Sequence, residues 1–232
     1  MSHNSVKIFS IGDSALTVDF GNEILIALNQ KAIELSNHFR QNPFTGLIET
    51  VPAYASTSIF YDLIEVRRQF PDFPTAFEAV KSLVENALKT LNETTETDAK
   101  LIEISVSFAE KDAPDLPEIA GSANISSEEV IEIFTSQTYR VFMLGFLPGF
   151  AYMGEVDERI AVPRHRTPRQ KVAKGSVGIA GRQTGIYSLE SPGGWQIIGR
   201  ADVELFSPNS DPLCFLQPGD SVRFVNRRLL EE

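Results

Sequence analysis

The chain has 232 residues, of which 42% are hydrophobic and 22% charged, a composition typical of a soluble globular protein with one large or two small domains. Its formal net charge of −10 argues against nucleic acid as the main partner. A single cysteine excludes an intrachain disulfide, and no apolar stretch approaches the roughly 20 residues that a membrane helix needs. We therefore expect a cytoplasmic protein with no membrane anchor.

Four short segments with alternating apolar residues predict strands in the first part of the chain. They are residues 6–11, 15–20, 48–53 and 57–61. Two stripes of apolar residues at three- and four-residue steps predict helices. The stripes are Leu25, Leu28, Ala32, Leu35 and Phe39, and then Phe77, Val80, Val84, Leu88 and Leu91. Asn22 is placed to cap the first helix, and Thr75 with Glu78 forms a capping box for the second. The order β-β-α-β-β-α indicates a small α/β sandwich domain over residues 1–97, with a polar linker at 92–100.

The second part of the chain, residues 98–232, has a different pattern. Residues 101–108 alternate as a strand, and helix starts are predicted at 115–118 and 126–129. Short apolar runs separated by glycine and proline then follow. They are residues 139–144, 160–162, 177–180, 196–199 and 222–225. This spacing predicts an all-β barrel or sandwich and makes the whole chain an α+β protein.

A basic window runs from residue 159 to 189, where no Asp or Glu occurs. It contains two Pro-Arg pairs, at Arg164 and Arg169, and the histidine His165. A guanidinium group is a planar fork of donors that suits a carboxylate or a phosphate, so one interpretation is an anion clamp. The other is a solvated hairpin or an interface to an acidic partner. The sequence leaves these alternatives open.

Three further motifs lie around this window. Residues 175–181 do not match a phosphate-binding loop and favour a strand with close backbone packing, and nothing near Ser176 marks it as a nucleophile. Trp195 follows a predicted Pro-Gly-Gly turn, and it either stacks on a ligand or plugs one end of the barrel. Residues 145–152 predict a loop with three aromatic side chains that either lines a pocket or folds inward. The histidines have no metal-site spacing, so no metal site is expected.

The motifs GFLPGFAYMG at 145–154, GSVGIAG at 175–181 and SPGGW at 191–195, with the two Pro-Arg pairs, resemble the family of 5-oxoprolinase B subunits. This family is also called allophanate hydrolase subunit 1 and includes the sporulation kinase inhibitor KipI. The resemblance implies a small α/β N-terminal domain followed by a cyclophilin-like β-barrel. It also implies a B subunit that is inactive or weak alone. Its implied partners are the A subunit of the complex and the larger, homologous C subunit. Together the three would open 5-oxo-L-proline to L-glutamate.

The implied co-substrate is ATP, with Mg²⁺ at the level of the complex. The candidate polar contacts for the substrate or ATP are Arg164, Arg169, Gln183, Arg200 and Ser176, and the candidate aromatic walls are Tyr152, Tyr187 and Trp195. Two alternatives remain at this stage. One is a KipI-like regulator that inhibits a sensor histidine kinase, and the other is a peptide-binding cyclophilin-like module without chemistry.

Overall fold

A computed structural model of the chain describes residues 6–91 and 100–227. The chain divides into two compact units, Met1–Thr97 and Asp98–Glu232. The predicted linker at residues 92–100 lies outside the described residues except for Lys100. In the described part of the chain, no helix is both long and apolar enough to cross a membrane.

The first unit is an antiparallel sheet with helices packed on one face. Its elements are β1 (Lys7–Ser10), β2 (Ala15–Asp19), α1 (Ile26–Gln41), β3 (Leu47–Pro52), β4 (Ser56–Tyr61), α2 (Leu63–Gln69) and α3 (Ala76–Thr90). The strand order is β1-β2-β4-β3. Leu16 and Ile59 of the sheet share a core with Leu35 of α1 and Val80 of α3. The apolar faces predicted for the strands and helices therefore meet in one core.

All four predicted strands of this unit are confirmed, and Thr75 caps α3 by accepting the Glu78 N–H. The predicted cap at Asn22 is wrong, because α1 begins only at Ile26 and Leu25 is 47% exposed. The helix α2 was not predicted. It is a single short segment with too few turns to show a period, and Asp62 caps it by accepting two backbone N–H groups.

The second unit is a closed β-barrel with two helices and a separate two-stranded ribbon over its described residues. Its helices are α4 (Leu116–Ala123) and α5 (Ser127–Ser136). Its strands are β5 (Leu101–Ser107), β6 (Tyr139–Leu144), β7 (Ala151–Gly154), β8 (Arg169–Val172), β9 (Ser176–Ala180), β10 (Gln183–Ile186), β11 (Ser191–Gly193), β12 (Gln196–Ala201) and β13 (Ser221–Asn226). The barrel order is β10-β7-β6-β13-β5-β12-β9, and β8 pairs with β11 in the ribbon.

The barrel interior is filled by apolar side chains from alternate strand positions and from the two helices. Met153, Ile179 and Ile198 belong to this core. Phe134 of α5 stacks on Phe224 of β13 with ring centroids 4.9 Å apart. The helices therefore pack against the barrel and form one core with it.

The predicted α+β fold with a C-terminal β-barrel is confirmed. Four of the five apolar runs are strands, but the run at 160–162 is not. Glu158–Ile160 is a turn of 3₁₀-helix, and Val162 makes only one bridge, to Gly181. The predicted loop at 145–152 ends in β7, and the predicted turn after Ser191 is the ribbon strand β11. Pro192 is tolerated in β11 because β11 pairs with β8 in a two-stranded ribbon and is not a central strand of a sheet.

Candidate functional site

A second hydrophobic cluster lies on the outer face of the barrel. Along β7, Met153 belongs to the barrel core, whereas its neighbour Tyr152 packs on the second cluster. Along β9, Ile179 and Ala180 divide in the same way. Successive side chains of a strand point to opposite faces, so the second cluster lies outside the barrel wall. We call it the outer cluster. It comprises Phe150, Val172, Ala180, Tyr187, Trp195 and Ile197, with Leu147 and Tyr152 partly buried against it.

Aromatic rings form the centre of the outer cluster. Phe150 is buried, and its ring centroid lies 4.9 Å from that of Tyr152, 5.6 Å from that of Tyr187 and 5.5 Å from that of Trp195. All three contacts are edge-to-face, the arrangement that the ring quadrupole favours. The rings therefore restrict one another's orientation, and Tyr152 is the one of these four that is partly exposed.

Two glycines make room for this arrangement. A Cβ on Gly178 would lie 3.0 Å from Trp195 Cβ, and a Cβ on Gly193 would overlap the Tyr187 hydroxyl. Burial raises the pKa of Tyr187, while a backbone hydrogen bond from Trp195 and the positive charges of Arg164 and Arg169 oppose that rise. The Tyr187 hydroxyl therefore keeps its proton at neutral pH and remains available for hydrogen bonding.

A buried carboxylate organises the polar side of the site. Asp115 is 4% exposed, and its Oδ1 accepts a hydrogen bond from Arg169 Nη2 at 2.5 Å. Its Oδ2 accepts the Ile197 backbone N–H at 2.5 Å, while the Asp115 N–H donates to the Ile197 carbonyl at 3.0 Å. The start of α4 is thereby joined to β12. The sequence predicts that Asp115 begins a helix, where a carboxylate usually accepts a backbone N–H of the first turn. In the structure, the Asp115 carboxylate makes no such capping bond to α4.

Arg169 and His165 keep unused hydrogen-bonding capacity beside Asp115. His165 Nε2 lies 3.3 Å from Asp115 Oδ2, yet it makes no hydrogen bond among the described residues. Arg169 Nη1 is buried and is likewise unpartnered within that part of the chain. An unsatisfied buried donor costs about 1–3 kcal/mol, so an anionic group that reached Arg169 Nη1 would be bound favourably.

Arg164 covers the exposed side of the outer cluster. Its guanidinium carbon lies 5.6 Å from the centroid of the Trp195 ring, a cation–π geometry. Arg166, on the same segment, is exposed. The site thus combines two guanidinium groups, an imidazole and a phenol with an aromatic surface. This combination suits a small anion that also has an apolar or planar body.

The structure divides the predicted site residues into groups. Arg164, Arg169, Tyr152, Tyr187 and Trp195 lie together in this site, and the interpretation of Trp195 as a barrel plug is wrong. Ser176 and Arg200 are cross-strand partners of β9 and β12 and belong to another part of the barrel wall. Gln183 begins β10, where it pairs with Gly154 and Ala180.

Sequence reasoning missed Asp115, and it included Phe150 only as one aromatic residue of the loop at 145–152. It considered His165 as a proton shuttle but favoured an exposed neighbour of the arginines. Asp115 precedes Leu-Pro-Glu, a pattern typical of a helix start. That pattern explains the Asp by itself, so nothing in the sequence indicated that Asp115 is buried beside Arg169. Among the residues that the structure describes, no group of three or more His, Cys, Asp or Glu side chains is arranged to hold a metal ion.

The family model described as "Carboxyltransferase domain, subdomain C and D" matches residues 6–216, and the chain belongs to this family. The 5-oxoprolinase B subunit of Bacillus subtilis (strain 168) is 42% identical over 220 residues, covering 94% of this chain and 92% of that protein. The 5-oxoprolinase B subunit of Escherichia coli O157:H7 is 33% identical, covering 96% of each chain. The solved structure of TTHA0988 is similar with a TM-score of 0.78 and 33% identity, covering 91% of this chain and 39% of that longer one.

Proposed function

We propose that this chain is the B subunit of an ATP-dependent 5-oxoprolinase, which opens 5-oxo-L-proline to L-glutamate. The similarity to proteins named as the B subunit of 5-oxoprolinase extends over nearly the whole chain and supports the proposal. The observation that carries it is the buried, unpartnered Nη1 of Arg169 beside an aromatic surface, within the described residues. Such a site matches a five-membered lactam that has one carboxylate.

Each group of the site has a role in this proposal. Arg169, held by Asp115, binds the substrate carboxylate, and the ring of the lactam lies against Tyr152, which packs on Trp195. Arg164 is placed to stabilise negative charge that develops on transferred oxygen atoms. His165, whose Nε2 lies 3.3 Å from the same carboxylate, is placed to carry a proton.

ATP supplies the energy for opening a resonance-stabilised amide, because phosphorylation of the lactam oxygen makes the ring carbon susceptible to water. Asp115 is already bound to Arg169 and Ile197, so this site offers no free carboxylate to Mg²⁺ among the described residues. None of the steps assigned to this chain involves the metal. We propose that two partners, the larger C subunit of the complex and its A subunit, complete the site. The isolated chain is then inactive or weak.

Reconstitution tests the proposal. The three subunits together are expected to show 5-oxoproline-dependent ATP hydrolysis and glutamate release, and omission of this chain should abolish both. If both rates are unchanged without this chain, the proposal fails. Inhibition of a co-purifying sensor histidine kinase by a chain that does not support 5-oxoproline turnover would favour the KipI-like alternative instead.

Substitution of the two arginines sharpens the test. Arg164→Ala and Arg169→Ala should each lower the reconstituted rate about tenfold or more, because each removes a charge-assisted contact worth roughly 1.5–3 kcal/mol. Arg164 is exposed, so its removal leaves no buried charge behind. Arg166→Ala, an exposed arginine of the same segment, is the matched control and should keep the full rate. Equal losses in Arg164→Ala and Arg166→Ala would contradict the assignment.

A further inference from the structure

A concavity of about 520 Å³ lies on the second unit, and none of its lining residues belongs to the outer cluster. Its size is within the range of small-molecule sites. Four of its lining residues are cationic, and they come from four separate segments of the second unit. They are Lys111 after β5, Lys174 between β8 and β9, Arg200 on β12 and Arg227 after β13. We call it the Arg200 concavity.

Arg200 occupies a defined position in the barrel wall. It is the cross-strand partner of Ser107 on β5 and of Ser176 on β9. The adjacent pair, Val106 and Ala201, belongs to the barrel core, so alternation directs the Arg200 side chain outward. The guanidinium therefore projects from a rigid three-strand surface, and its position does not depend on a loop.

Charge in the Arg200 concavity is unbalanced. The lining has four cations and two carboxylates, Asp112 and Asp202, which leaves two positive charges in excess, and Glu204 outside the lining offsets one of them. Asp112 already accepts the Ser107 hydroxyl at 2.7 Å, and Lys174 lies 3.9 Å from the exposed Glu204. Over residues 6–91 and 100–227, the Arg200 side chain has neither an ion pair nor a hydrogen bond. The converging positive charges repel one another. A local positive surplus is unusual here, because the whole protein has a net charge of −10.

A bound anion is the simplest way to neutralise such a surplus. A carboxylate is planar with one charge and is satisfied by one bidentate arginine. A phosphate group has three acceptor oxygens and about −1.5 to −2 charges, which matches cations that approach from several directions. We propose that the Arg200 concavity binds a phosphate group, supplied either by inorganic phosphate or by the polyphosphate of a nucleotide. This site is separate from the outer cluster and does not require lactam chemistry.

Calorimetric titration of the full chain with inorganic phosphate, and separately with ATP, tests this site. Both probes, or ATP alone, should bind the wild-type chain, and Arg200→Ala should weaken the binding about tenfold. Binding of both with the same loss in Arg200→Ala identifies a single-phosphate site, whereas binding of ATP alone identifies a polyphosphate site. Arg200→Lys keeps the charge and should retain more of the affinity than Arg200→Ala.

The control is Arg223→Ala. Arg223 is an exposed arginine of the same barrel, paired with Glu103 and outside the concavity, so its removal should leave the affinity unchanged. The proposal is overturned if neither probe binds, if Arg200→Ala binds as tightly as the wild-type chain, or if Arg223→Ala weakens binding equally. Because the titration contains no 5-oxoproline and no partner protein, its result is independent of the reconstitution result.

Discussion

At the scale of single residues, one carboxylate determines the geometry of the candidate site. Asp115 binds Arg169 and the Ile197 backbone, and it lies within 3.3 Å of His165. The sequence predicted the arginines and the aromatic residues, since those residue types are unusual in such density. It could not predict Asp115 as part of the site, because the contacting residues are far apart in the chain and only the closed barrel brings them together.

Asp115→Asn tests this role. The amide keeps the shape of the side chain and can still accept the Ile197 N–H, but it no longer neutralises Arg169. We expect the reconstituted 5-oxoproline-dependent rate to fall at least about tenfold and the free energy of unfolding to fall by about 1–3 kcal/mol. Urea unfolding and steady-state kinetics measure the two effects.

Asp211→Asn, which changes an exposed carboxylate outside both the outer cluster and the Arg200 concavity, is the control and should unfold as the wild-type chain does. A merely structural role for Asp115 would lower stability without changing the pH profile of the rate. If Asp115 also positions His165 and Arg169, the pH profile of the rate should change as well. An unchanged profile would contradict it.

At the scale of elements, the strong signals were periodicity and capping. The strands of the first unit and β5 follow from alternation, and four further barrel strands follow from short apolar runs between Gly and Pro. The start of α5 follows from Ser126 and Glu129. Elements of only a few residues, such as α2 and β11, were not predicted because a period needs length to be visible. The ribbon of β8 and β11 also depends on pairing between distant segments, which no local pattern encodes.

The capping box of α5 makes a quantitative prediction. The Ser126 hydroxyl accepts the Glu129 N–H at 3.1 Å, and the Glu129 carboxylate accepts the Ser126 N–H at 2.8 Å. Ser126→Ala should lower the free energy of unfolding by about 1 kcal/mol, measured by urea denaturation. Ser122→Ala is the control, since that exposed hydroxyl donates to a carbonyl within its own helix and contributes little. Equal destabilisation by the two variants would exclude a special capping contribution.

At the scale of the whole molecule, an acidic chain carries two basic regions on one unit, one around Arg164 and one in the Arg200 concavity. The net charge of −10 would slow the approach of anions, whereas clustered positive charge around Arg164 and around Arg200 attracts them locally. The sequence showed the acid-free window but could not show that it contributes to two surfaces. The basic residues divide between the two regions because successive side chains of a strand point to opposite faces.

Asp220 gives the barrel a pH dependence with a defined sign. Burial raises the pKa of its carboxyl group, although the Gln217 N–H opposes the rise. The folded state then binds its proton more tightly than the unfolded state, whose pKa is about 3.9. The free energy of unfolding should therefore fall as the pH rises from about 4 through the folded-state pKa.

Asp220→Asn should remove the part of the pH dependence of the free energy of unfolding that comes from this carboxyl group. Urea unfolding followed by circular dichroism between about pH 4 and pH 7 measures it. The barrel transition is the one that Ser126→Ala shifts, so the effect can be assigned even if the two units unfold separately. A slope that is the same in the wild-type chain and in Asp220→Asn would contradict the prediction.

The outer cluster contains the only tryptophan of the chain. Indole emission therefore originates entirely at this site, because the first unit contains no tryptophan. The Arg164 guanidinium lies over the Trp195 ring, so a ligand that draws Arg164 away changes the electric field on the indole. The protein thus contains its own optical probe, and occupancy of the candidate site can be followed by fluorescence without a label.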